Sequence, residues 1–152
     1  DLRRTVNGYS LLADAVRHNM RNVTRALLRA RAPVDFGGTA VMGDSAPPRP
    51  LLLAVKEGNA AIVVTLVEAG ATNVTEVETK SGFTALHVLA RSLPTEAKWK
   101  QLETRALIEG IDLLIRHGAT IEDRDRSNAT PLHHAAEVGN ARIVEHLVVN
   151  CG

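Results

Sequence analysis

The sequence predicts an all-α fold built from stacked helix–turn–helix units, and three observations predict it. One short pattern recurs four times along the 152 residues. Each copy holds two apolar stretches broken by Gly-Asn or a similar stop, the punctuation of paired helices. Aromatics make up only 3% of a chain that is 45% hydrophobic. A thin aliphatic core of Leu, Ala, Val and Ile suits layered helices better than the thick centre of a single globule.

The copies justify the elements in order. The first, GYSLLADAVRHNMRNVTRALLRARAPVD, runs from Gly8 to Asp35. The second opens PLLLAVKEGNAAIV at Pro50 and continues as IVVTLVEAGAT to Thr72. The third opens GFTALHVLAR at Gly82 and resumes as IDLLIRHGATIEDRD from Ile111 to Asp125. The fourth, NATPLHHAAEVGNARIVEHLV, runs from Asn128 to Val148. Thr followed by Pro opens a first helix, because Thr caps orphan amides and Pro suits the first turn. The small pairs Ala15–Val16, Ala54–Val55 and Ala135–Ala136 let first helices approach closely. Gly58 and Gly139 end those helices in a left-handed turn, a place Asn19 takes at some cost. Second helices supply longer apolar residues, such as Ile62, Val63, Leu66 and Val67. Gly70-Ala71 and Gly118-Ala119 then end them.

Here the residues carry a family resemblance. The chain resembles four ankyrin repeats over almost its whole length. The family pattern G-x-TPLH-x-AA-x-x-G-N/H-x-x-IV-x-L-L-x-x-GA is matched most closely by Thr130, Pro131, Leu132, His133, Ala135, Ala136, Gly139, Asn140, Ile143, Val144 and Leu147. The resemblance implies a solenoid of stacked helix-turn-helix units with short hairpin or loop connections. It places one ankyrin domain at 1–152, with repeats at 5–35, 47–74, 79–122 and 125–152. The repeat starts near 8, 47, 82 and 128 are 39, 35 and 46 residues apart, against about 33 for the family unit. The excess marks insertions at 36–46 and 92–108. The first belongs to the Gly/Pro-rich connection Phe36–Arg49. The second contains Pro94-Thr95, and Thr95 is expected to cap a helix running to about His117. Trp99, Leu102 and Ala106 share one face of that helix. Trp99 there either packs on a neighbouring helix or anchors a partner.

Composition narrows the function. The net charge is +1, too small for an overall nucleic-acid or membrane field. Residues 1–35 hold seven Arg and three Asp, so they carry +4 and the remainder −3. The single cysteine, Cys151, excludes an internal disulfide and fits a reducing compartment. No apolar run is long enough to span a bilayer, and no secretory signal pattern opens the chain. An intracellular location, cytoplasmic or nuclear, is expected. The chain opens on Asp1, and its last repeat offers Ile143, Val144, Leu147, Val148 and Val149 as an apolar outer face. A longer protein, with a further repeat or domain after Gly152, is therefore expected.

No catalytic, metal or cofactor site is expected. His133, His134, His146 and Cys151 have no metal-ligand spacing, and no phosphate-binding glycine loop is present. His87 and His133 occupy the histidine of the TPLH motif, which the resemblance assigns to hydrogen bonds between neighbouring repeats. Three Asn-x-Thr sequons, at Asn22, Asn73 and Asn128, read as coincidence in an intracellular array. The positions matching the family's asparagine hydroxylation site are Asp35, Val74 and Glu122, so that modification is not expected.

The resemblance instead implies protein–protein interaction through a concave face of first helices and hairpin tips. The variable residues mapped to it are Tyr9, Asp14, Arg17, Lys56, Phe83, Arg91, Arg126, His134 and Glu137, with Trp99 as a possible added anchor. Their mixed charges suit a polar protein or peptide partner, bound by a monomeric domain. The alternative is a regulatory or targeting segment of a larger multidomain enzyme or channel, docking within its own chain. Nucleic acid is not expected as a partner. Arg21, Arg25 and Arg29 line one face of the second helix of the first repeat. They form either a solvated flank or a docking patch for an acidic segment or phosphate. Repeat one has Leu11 and Ala13, and repeat two Arg49 and Leu52, where the motif has its hydrogen-bonding residues. The N-terminal half is therefore expected to open first.

Overall fold

The computed structural model describes residues 1–40, 47–93 and 100–150. The chain divides into two compact units, Asp1–Asn73 and Val74–Gly152, each built around two helix pairs.

The first unit opens with a two-residue antiparallel ladder, β1 (Thr5–Val6) on β2 (Tyr9–Ser10), joined through Asn7 and Gly8 at positive φ. Helices α1 (Leu11–Arg17) and α2 (Arg21–Arg29) follow, then α3 (Pro50–Lys56) and α4 (Ala60–Glu68). α1 packs on both α2 and α3, and α4 closes against α2 and α3. The seam is aliphatic: Leu12, Val16, Leu51, Leu53, Ile62, Val63 and Leu66 are all buried. Ser10 caps α1 by accepting the Ala13 amide at 3.0 Å, and its hydroxyl donates to the Phe36 carbonyl at 2.6 Å. A single serine thus ties the start of α1 to the connection that follows the first repeat, although the motif histidine is replaced by Ala13. The cap of α3 is weaker, because Arg49 makes no side-chain cap and only Pro50 favours the first turn.

The second unit contains α5 (Ala85–Ala90), α6 (Lys100–Arg116), α7 (Pro131–Glu137) and α8 (Ala141–Asn150). α5 packs on α6 and α7, and α8 on α6 and α7. Leu86, Leu89, Ile111, Leu114, Ile143 and Leu147 form its core. Ile143 and Leu147 are therefore interior residues rather than parts of the outer apolar face expected from the sequence; Val148 and Val149 are the exposed ones. α6 has 17 described residues against 9 in α2 and α4. Thr95 and Trp99, the expected cap and the expected anchor, lie outside the described residues.

Left-handed residues end the helices where the sequence placed them. Gly58, Gly139 and Asn19 follow first helices at φ 66°, 72° and 56°. Gly70 and Gly118 follow second helices, and Arg31 takes the same place in the first repeat at φ 62°. Asn59 and Asn140 then do two jobs each. Asn59 accepts the Ile62 amide at the start of α4 and donates to Asn19. Asn140 accepts the Ile143 amide and donates to the Ser92 carbonyl at 3.0 Å. In both units, one asparagine caps its own helix and grips the loop of the preceding repeat.

Candidate functional site

The expected binding residues sort into two clusters, one in each unit. In the first, Arg17 at the end of α1 lies over the Tyr9 ring, its guanidinium carbon 4.6 Å from the centroid. Its Nη2 donates to Asp14 at 3.1 Å. Tyr9 is fixed by β2, and the Tyr9 backbone bridges to Gly38. Gly38 is obligatory there, since a Cβ would fall 1.9 Å from the Gly8 carbonyl oxygen. Lys56 ends α3 at the position matching Arg17 and is exposed.

The second cluster repeats the arrangement with more parts. Arg91, just past α5, lies 5.2 Å over the Phe83 ring. Phe83 stacks on His87 at 5.5 Å and packs T-shaped against His134 at 5.0 Å. Each Arg stands eight residues after its aromatic (17−9 and 91−83), so the register of the repeat sets the pairing. Each pair is a cation–π contact that holds a long side chain in one place.

His134 corrects the sequence-based expectation. It is only 8% exposed, and its Nε2 donates to the Asp125 carboxylate at 2.7 Å. It is a buried strut beneath the Phe83 ring rather than a side chain free to meet a partner. Its Nδ1 lies 3.5 Å from Glu137, whose own side chain is 75% exposed. The structure therefore leaves Arg91 and Glu137 as the accessible charges around Phe83, with Arg126 exposed on the adjoining hairpin. Arg126 is set by its amide, which donates to the Ser81 carbonyl at 3.0 Å.

Asp125 organises that hairpin. Its Oδ1 accepts from the Ser127 amide, the Ser127 hydroxyl and the Ala129 amide at 2.7–2.9 Å. Burial alone would raise its pKa. The donors from Ser127, His134 and the backbone outweigh that and hold the carboxyl well below the usual range. Glu78 plays the same part in the preceding turn, accepting from Lys80 and Ser81 amides and the Ser81 hydroxyl. Those backbone and side-chain donors lower its pKa to about 2.

The motif histidines hold the frame. His87 is fully buried; its Nδ1 accepts from Thr84, and its Nε2 donates to the Ala129 carbonyl at 3.2 Å. Burial pushes its pKa down, so the ring is neutral at pH 7 and the bridge joins the third repeat to the fourth. His133 makes the same Thr130 contacts but is exposed. His146 donates to Asp112 at 2.7 Å, linking α8 to α6. Among the described residues, no group of three or more His, Cys, Asp or Glu side chains is placed to hold a metal ion.

The aromatic–arginine pairs and the Asp125–His134 strut were not read from the sequence. The pairs left a signal, the recurring eight-residue offset. The strut spans nine residues across a turn and left none. Of the sequons, Asn73 is buried, while Thr24 and Thr130 are interior residues that the fold itself requires.

Paired short helices, glycine stops and Thr–His caps define a helix-pair repeat protein. Residues 127–152 match the ankyrin-repeat family, and the helix pairs of the described residues are consistent with ankyrin-like repeats. No curated protein matches the chain. An ankyrin repeat is a general protein–protein interaction module. No helix of the described residues is long and apolar enough to cross a membrane.

Proposed function

We propose that the chain is a binding module in which four ankyrin repeats stack into one solenoid and take a protein or peptide on the face formed by first helices and hairpin tips. The observation that carries this reading is the repeated placement of an arginine on an aromatic ring, Arg17 on Tyr9 and Arg91 on Phe83. A guanidinium held against a ring is already ordered, and less side-chain freedom is lost when a carboxylate arrives. Asp14, Glu137, Lys56 and Arg126 add charges of both signs, so the matching partner surface is polar and mixed. The domain acts by binding rather than by chemistry, as a monomer within the cell.

An affinity pull-down with quantitative mass spectrometry tests this. A variant with Arg17, Arg91, Arg126 and Glu137 changed to Ala is run beside the wild type, with circular dichroism confirming its helix content. Loss of the partner from the folded variant supports recognition on this face. Equal retention by both proteins overturns it.

A further inference from the structure

The arginines of α2 are not absorbed by that face. Arg21, Arg25 and Arg29 recur every four residues and are all exposed, while Thr24 between them is fully buried. Among the described residues, none of the three makes a side-chain hydrogen bond or an ion pair. The two carboxylates of the first repeat are engaged elsewhere: Asp14 with Arg17 and His18, Asp35 with Thr72.

The helix is also electrostatically costly as it stands. α2 contains no Asp or Glu, unlike α4, α6 and α8, which contain Glu68, Glu109 and Glu145. Arg21 occupies its first position, where the macrodipole favours an acid, and the N-cap Met20 makes no side-chain hydrogen bond. Cations one turn apart repel each other. Carboxylates bound across the three guanidinium groups relieve the repulsion between them.

We propose that this face of α2 docks an acidic helical segment of a partner protein, gripped by Arg21, Arg25 and Arg29. Each four-residue step advances about 6 Å along a helix, so carboxylates at i, i+4 and i+8 of an acidic helix match the three guanidinium groups. Arginine favours such pairing because its planar fork takes a carboxylate through two N–H groups. The net charge of +1 and the absence of any aromatic residue on α2 disfavour nucleic acid as the occupant.

The test is fluorescence anisotropy with the full chain and a helical peptide carrying three Glu at i, i+4 and i+8 on one face. Binding that falls about tenfold or more in R21Q/R25Q/R29Q, the loss expected for charge-assisted pairs, supports the assignment. So does recovery when R21E/R25E/R29E is paired with the Lys version of the peptide. R17A is expected to bind the peptide as wild type does, which separates this surface from the aromatic–arginine face. Unchanged binding by the Gln variant overturns the proposal. So does the absence of any binding, or tighter binding of duplex DNA or phosphatidylserine vesicles than of the peptide. The Gln variant is expected to keep its helix content, since it removes repulsion. Should it unfold, the single variant R25Q decides by the same criterion.

Discussion

At the scale of single residues, Arg31 carries a cost that its neighbours avoid. It holds φ 62° where the second and third repeats place Gly70 and Gly118. A non-glycine residue in that conformation costs roughly 1–2 kcal/mol, partly offset by the entropy glycine loses on folding. Arg31→Gly is therefore expected to stabilise the chain by about 0.5–1 kcal/mol, read as a raised urea midpoint with an unchanged slope. His134 is the opposite case. Removing it by His134→Ala leaves the buried Asp125 Oδ2 without its donor and takes away a ring that packs against Phe83. Loss of such a partner costs about 1–3 kcal/mol. An equilibrium unfolding curve that coincides with wild type would sink this account of the strut. The sequence identified His134 as a residue of consequence but gave it the wrong position. Nine residues and a turn separate it from Asp125, so only the folded hairpin brings the carboxylate to it.

The elements were largely legible, because their signals are local. Thr84 and Thr130 cap, Pro50 and Pro131 start, and glycines stop, each for reasons that reside in a few consecutive residues. What escaped reading was non-local: the Ser10 link to Phe36, the paired rings, and the asparagines reaching into a preceding loop. One element also carries a pH dependence. The Glu78 carboxylate staples the turn before α5, and its pKa is lowered to about 2 in the folded chain. Its contribution to stability is complete above the ordinary glutamate range. It is lost as the pH falls through that range toward the folded value. Glu78→Gln should therefore destabilise the chain near neutrality and make little difference at pH 2. Melting curves for both proteins at several pH values check this; a constant difference in Tm across that range would count against the staple.

At the scale of the whole molecule, the two units are held by different chemistry. Unit Val74–Gly152 has the fully buried His87 bridge and the Asp125 staple. Unit Asp1–Asn73 relies on Ser10, Asn59 and Asp35, and its second repeat begins without a side-chain cap. Amide exchange is expected to be faster across α1–α4 than across the core of α5, α7 and α8. Uniform protection in both units would refute this. Stability of a repeat array is a sum over units and their neighbours, so weakness in one unit lowers the barrier to opening there first.

The sparse aromatic residues acquire an unplanned use from this division. Tyr9 is the single tyrosine, and it lies in the first unit. The phenol is therefore a native reporter of that half. Its near-ultraviolet circular dichroism bands report the ring beneath Arg17. Followed in one denaturant titration beside the far-ultraviolet helix signal, they would tell, without any label, whether the first unit melts with the rest of the chain or ahead of it.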